Sequence, residues 1–104
     1  MIRIGPAGWS YPDWRGIVYP RRRAKGFHEI TYLAEYFDTL ELNVSFYRPI
    51  TAKTAEDWLE KLEQNSNFRF TAKLWRGFTH ERKATSDDER IVKEGFAPLL
   101  AAGV

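Results

Sequence analysis

From Thr39 to Val44 the chain alternates without a break: Leu40, Leu42 and Val44 in one set, Thr39, Glu41 and Asn43 in the other. A period of two belongs to a β-strand, whose successive side chains point to opposite faces. The apolar residues on both sides of this stretch predict a central, mostly buried strand. Glu41 and Asn43 then project together near its C-terminal end. A buried carboxylate is costly unless it is paired or hydrogen-bonded. The polar face therefore either carries a site or meets structural partners, and the rest of the chain bears on which.

With 104 residues, the chain has material for one domain. Its 43% apolar and 15% aromatic content argues for a packed core rather than disorder. The net charge of +2 is weaker than a dedicated nucleic-acid binder needs on composition alone. The absence of cysteine excludes disulfides and thiolate metal sites. No apolar run approaches the ~20 residues of a membrane span, and Met1 to Gly5 lacks the apolar core of a signal peptide. A soluble, cytoplasmic protein is the expectation, with no membrane partner.

Ile2 and Ile4 alternate with Arg3 before Gly5-Pro6-Ala7-Gly8, which predicts a short first strand ending in a glycine turn. Trp9, Tyr11, Trp14 and Tyr19 follow among Pro12, Gly16 and Pro20, so these aromatics are expected on a loop. They suit a lid over the core or an aromatic wall around a ligand. Arg21 to Lys25 is a basic run, read as a solvated loop or an anion-binding patch. Phe27, Ile30, Leu33, Ala34 and Phe37 have helical spacing and predict an amphipathic helix of about ten residues, with His28 on the surface near its start.

Pro49 predicts a loop from Ser45 to Ile50. Thr51 caps a second helix with Ala55, Trp58, Leu59 and Leu62 on its apolar stripe. Phe68, Phe70, Ala72 and Leu74 alternate with polar residues as a third strand. Arg76 to Thr85 reads as a polar loop, and Ser86 with Glu89 as a capping box for a third helix that Pro98 should end. Strand, helix, strand, helix, strand, helix is the order of parallel α/β units. Residues 101 to 104 read as the approach to a fourth strand.

Same-face positions of neighbouring parallel strands line up about 4.8 Å apart, which brings Glu41 within reach of Lys73. Ligands of parallel α/β folds bind at strand C-terminal ends. Glu41, Asn43, Tyr47, Lys73 and His80 all fall at or just past such ends, and the aromatic loop also follows one. The catalytic candidates are Glu41 and His80 as proton carriers and Lys73 as an anion-neutralising cation. The ligand-binding candidates are Trp9, Tyr11, Trp14, Asn43, Tyr47 and Arg48. The competing reading is a structural Glu41–Lys73 pair, with Asn43 and Tyr47 bonded to loop backbone. No nucleophile triad, trusted metal spacing or glycine-rich phosphate motif emerges. No cofactor is implied.

Ile4 to Gly16 with Tyr19-Pro20, Glu41 to Tyr47, Phe68 to Lys73 and Thr79-His80 together resemble the motifs of the YecE-like family, domain of unknown function 72. The resemblance implies a TIM-like (β/α)₈ barrel with a pocket at the strand C-terminal face, and no activity. The chain matches the first three βα units, so residues 1–104 are expected to form the N-terminal part of one barrel domain, truncated before the fourth strand. The open sheet edges then require missing strands or an assembly to cover them. If the protein is an enzyme, hydrolysis or lyase chemistry on a phosphate- or sugar-containing small molecule is expected. The alternatives are a non-catalytic nucleic-acid or polyanion binder, using Arg21 to Lys25 with Arg82 and Lys83, and a non-functional fragment.

Overall fold

A computed structural model describes all residues, Met1 to Val104. The alternating stretch forms strand β1, Thr39–Leu42, which pairs in parallel with β2, Arg69–Ala72. Helix α1, Glu29–Leu33, precedes β1, and one-turn α2, Val44–Tyr47, follows it. Helix α3, Ala52–Glu60, leads into β2; one-turn α4, Arg76–Thr79, and long α5, Ser86–Ala101, complete the chain. The mixed α/β class and parallel pairing agree with the sequence reading. No helix is long and apolar enough to cross a membrane.

Pairing runs Thr39 to Arg69, Leu40 to Phe70, Glu41 to Thr71 and Leu42 to Ala72. Leu40 and Leu42 are fully buried on the helix side, in one core with Ile30, Leu33, Ala55, Trp58, Phe68 and Leu99. Helix α3 packs against α5. Gly95 of α5 also lets the loop before α3 come close, because a Cβ there would lie 1.9 Å from the Ile50 carbonyl oxygen.

The predicted first strand is corrected. Ile2 and Ile4 form no strand and stay largely exposed; pairing occurs further on, where Gly8 N–H donates to the Glu41 carbonyl and Glu41 N–H to that of Pro6. Alternation alone does not bury a strand that lacks a packed face. Gly5 fits there because a Cβ would lie 1.8 Å from the Thr39 carbonyl oxygen. Strand β1 stops at Leu42, since Asn43 is already helical (φ −82°, ψ −33°), so Val44 opens α2 instead of extending the strand. The loops predicted at Ser45–Ile50 and Arg76–Thr85 each contain a helical turn. Arg48 takes the extended conformation that a following proline favours and ends α2.

Helix α1 is half the expected length, and His28 is its cap: Nδ1 accepts the Ile30 N–H at 3.1 Å. Thr51 caps α3 as predicted, its hydroxyl accepting the Thr54 N–H. The capping box of α5 lies one residue earlier than expected. Thr85 and Asp88 make it, with the Asp88 carboxylate accepting the Thr85 N–H at 2.9 Å. Pro98 does not end α5. The carbonyl deprived of a partner belongs to exposed Glu94, where water can satisfy it. The helix ends instead at Gly103 (φ +72°), with Val104 N–H donating to Leu99 and Gly103 N–H to Leu100 in a Schellman arrangement.

The layer over the sheet is open. The radius of gyration is 14.8 Å, against about 13 Å for a compact domain of this length. Leu74 and Leu100 are 55% and 75% exposed.

Two outcomes follow. Gly95→Ala should raise helix propensity by roughly 1 kcal/mol, yet thermal denaturation should show a net loss of about 1–3 kcal/mol from overpacking against Ile50. Burial lowers the pKa of His28 from its ordinary 6.5, outweighing the opposing pull of Glu29. The unfolded chain then takes up the proton first, so the cap's contribution is intact above 6.5 and lost as pH falls through the lower folded value. The melting temperature should decline on acidification just below pH 6.5, and His28→Asn, which caps without titrating, should flatten that decline.

Candidate functional site

The polar face of the sheet carries Thr39 and Glu41 from β1 and Arg69 and Thr71 from β2, lining an open trough of about 490 Å³ with Arg3 and the Gly5–Ala7 backbone. Lys73 lies one residue past β2, and its N–H extends the ladder to the Leu42 carbonyl at 3.2 Å. Its Nζ is 3.6 Å from Glu41 Oε1. The predicted pair exists, with side chains 50% and 38% exposed. At that exposure it is worth at most about 1 kcal/mol, so it is not the buried pair that the strand pattern suggested.

Buried Ser45 closes the end of the sheet. Its hydroxyl lies 2.7 Å from the Lys73 carbonyl and 3.0 Å from that of Leu42. One hydrogen is shared between two strand ends, which gives Ser45 a structural role the sequence did not reveal.

At the C-terminal end of β1, Gly8, Trp9, Ser10, Tyr11, Asn43, Val44, Arg48 and Trp58 enclose a cleft of about 340 Å³. The Tyr11 hydroxyl donates to the Ala7 carbonyl at 2.7 Å and lies 3.2 Å from Asn43 Nδ2. A phenol has one hydrogen; with that committed to Ala7, the oxygen accepts from the Asn43 amide. This fixes the amide orientation and leaves Asn43 Oδ1 buried without a hydrogen-bond partner in the chain. Gly8 (φ +74°) makes room, since a Cβ there would sit 2.5 Å from the Tyr11 oxygen. No acidic side chain pairs with Arg48.

The aromatic loop packs on the core and also contributes to the cleft lining. Trp9 packs edge-on against Trp58 at 5.3 Å and also lines the cleft. Trp14 lies behind Tyr11 at 4.6 Å, outside the cleft lining, and packs toward buried Tyr19. Tyr19 donates to the Trp9 carbonyl at 2.7 Å. Burial, with Glu29 adding to it, pushes its pKa to about 12, so it remains a donor at neutral pH. Arg23 of the basic run lies over Tyr19 and Phe27 and pairs with Glu29 at 3.0 Å; it fastens the loop.

Tyr47, Lys73 and His80 line a second cleft of about 420 Å³ with Phe46, Leu74 and Thr79. His80 Nδ1 is 2.9 Å from the Thr79 hydroxyl, and its ring meets Phe46 edge-on. The candidates therefore fall into two neighbouring groups: Trp9, Tyr11, Asn43 and Arg48 in one cleft, Tyr47, Lys73 and His80 in the other. Glu41 is linked to the second through Lys73. Trp58 was missed because its helical spacing marks it as core, and it is both core and wall. No three histidine, aspartate or glutamate side chains converge as a metal site. A larger hollow, about 540 Å³, lies by Ile2, Ile4, Tyr36 and Asp38, at the opposite end of β1 from these polar groups.

Residues 3–102 match the family described as protein of unknown function DUF72. The chain is 32% identical over 83 residues to the UPF0759 protein YunF of Bacillus subtilis (strain 168), a match covering 79% of this chain and 27% of that protein. Its fold is similar to the crystal structure of a DUF72 family protein from Enterococcus faecalis V583, with a TM-score of 0.71 at 21% identity. That likeness covers 98% of this chain and 36% of the other. The chain thus spans about a quarter of the curated relative and about a third of the solved one.

Thermal melts should separate the two links between strand ends. Lys73→Ala should cost less than about 1 kcal/mol because the ion pair is half exposed. Ser45→Ala should cost roughly 1–3 kcal/mol because it strips a buried hydrogen bond.

Proposed function

The chain belongs to the DUF72 family, and on that premise we propose that it carries the first three βα units of a TIM-like barrel with a small-molecule pocket at the strand C-terminal rim. Residues 1–104 are, in this reading, the N-terminal part of one barrel domain, short of its fourth strand. The ligand is a phosphate- or sugar-containing molecule. The observation that carries this is the cleft at the end of β1, where Asn43 and the unpaired Arg48 share a wall with Trp9 and Trp58.

Each element of that cleft has a chemical preference. The Asn43 oxygen only accepts and is buried without a partner in the chain; leaving such a group unpaired costs about 1–3 kcal/mol, so a shift of the loop that let a ligand hydroxyl or amide N–H reach it would be favoured. Arg48 suits a phosphate, to which guanidinium offers two parallel donors. The indole faces suit a ring or sugar face. For a ligand that extends into the neighbouring cleft, Glu41 is the proton carrier, Lys73 the cation that neutralises charge developing on it, and His80 a second proton carrier. A carboxylate beside an ammonium fits hydrolysis or lyase chemistry on such a substrate. The polyanion-binding reading is weakened because Arg23 is already occupied by Glu29 and two rings.

Titration calorimetry with ribose 5-phosphate tests the proposal. Arg48→Gln should weaken binding about tenfold or more, the worth of one charge-assisted hydrogen bond, with an unchanged melt. Glu41→Gln should leave binding in place. Equal affinity for the Arg48 variant would remove the cleft from consideration. Affinity falling with salt as steeply as for a many-phosphate contact, together with tighter binding of oligonucleotides, would favour the polyanion reading.

A further inference from the structure

The basic run, which the cleft does not use, adjoins an exposed aliphatic tip. Gly16 (φ +79°) turns the chain there. Its N–H donates to the Tyr19 carbonyl at 2.8 Å, and the Trp14 carbonyl accepts the N–H groups of Ile17, Val18 and Tyr19 at 3.1, 2.9 and 3.1 Å. This closed turn stands on Tyr19, the one buried residue between Arg15 and Gly26. Its two aliphatic side chains point outward: Ile17 is 83% exposed and Val18 37%. Cations stand beside them. Arg15 Nε–H donates to the Arg21 carbonyl at 3.3 Å, and a Cβ on Gly16 would lie 3.2 Å from Arg21 Nε. Arg22 and Lys25 follow on the same exposed return. Arg23 is held by Glu29, but none of the other four has a carboxylate partner. Asp13 is the only acidic residue from Trp9 to His28.

We propose that this loop docks on an anionic phospholipid surface. Ile17 and Val18 enter the boundary between headgroups and acyl chains, while Arg15, Arg21, Arg22 and Lys25 meet lipid phosphates. Affinity for a bilayer surface grows with buried apolar area and with attraction to anionic headgroups, and the tip offers both side by side. A contact of this kind needs no spanning helix. Nucleic acid is the weaker match for the same charges. A single strand is held by cations together with rings on which its bases stack, and the rings of this loop are turned inward. Tyr19 is buried, and Trp14 packs between Tyr11 and Tyr19. An aliphatic tip gives a base nothing to stack on, whereas it suits an acyl chain. Each basic side chain near an anionic surface strengthens binding about fivefold, and taking the isoleucine side chain out of water adds about tenfold.

Sedimentation with lipid vesicles tests this. The 104-residue chain should pellet with vesicles of equal parts phosphatidylglycerol and phosphatidylcholine, and less so as salt screens the charges. Vesicles of phosphatidylcholine alone should leave it in solution. Ile17→Ser alters an exposed side chain, so the variant should keep the circular dichroism of the parent and bind the anionic vesicles about tenfold more weakly. Arg22→Gln combined with Lys25→Gln should weaken binding about fivefold for each charge removed. Failure to pellet with the anionic vesicles overturns the proposal, as does equal binding to the neutral ones. Undiminished binding by the Ile17 variant would show that charge acts alone and would also overturn it. So would a single-stranded oligonucleotide that displaces the chain from the vesicles and binds the Ile17 variant as tightly as the parent, since the basic run would then serve nucleic acid.

Discussion

Everything else hangs on β1, the one strand with partners on both edges. Its Glu41 backbone exchanges hydrogen bonds with Pro6 and Gly8 on one side, and β2 runs along the other. Leu40 and Leu42 are fully buried below it, in one core with Ala55 and Trp58 of α3 and Leu99 of α5. Burying two leucines is worth several kcal/mol, and a slip of one residue would move both to the polar face. Register is therefore strongly fixed. The positions of Glu41, of Asn43 and, through the β2 ladder, of Lys73 are consequences of that hydrophobic choice rather than of their own interactions.

The polar groups then add order that burial cannot. Ser45 binds carbonyls of both strand ends, and Tyr11 ties Asn43 to the Ala7 backbone. Tyr19 holds the Trp9 carbonyl from beneath. Three hydroxyls thereby position the rim. The Glu41–Lys73 pair contributes little to holding the sheet together, being half exposed, and so stays available to something approaching from solvent. Cohesion and the exposed charges fall on different side chains.

Period and caps were the legible part of this chain. Leu40 and Leu42, the Ala55–Trp58–Leu62 stripe and the Thr51 cap all follow from local rules, and the Glu41–Lys73 contact follows from strand geometry. The α5 cap was misplaced by one residue because Thr85 with Asp88 and Ser86 with Glu89 offer the same chemistry in adjacent registers. Ile2 and Ile4 alternate as a strand should, but alternation reports a preference and says nothing about whether a packed face exists to receive it. Pairing settled instead on Pro6 to Gly8, just past Gly5, whose missing Cβ admits the Thr39 backbone. Among the candidate residues, the sequence put Asn43, Lys73 and the aromatic loop at one end of the sheet, where the structure also has them. It could not show that Trp14 turns toward the core while Tyr11 turns toward Asn43.

The close approaches explain why that last distinction was out of reach. Gly5, Gly8 and Gly95 each lie where a Cβ would collide with Thr39, Tyr11 or Ile50, and each permits a different contact: a strand edge, a hydroxyl under an amide, a helix on a loop. A glycine in sequence announces only that something comes near or that the backbone bends. The neighbour is chosen by the fold. The cleft at the end of β1 is built on such an absence: without space above Gly8 the Tyr11 hydroxyl could not reach both Ala7 and Asn43. The Asn43 amide would then be free to flip, presenting its nitrogen or its oxygen without preference. The orientation of the Asn43 amide is thus specified by a residue with no side chain.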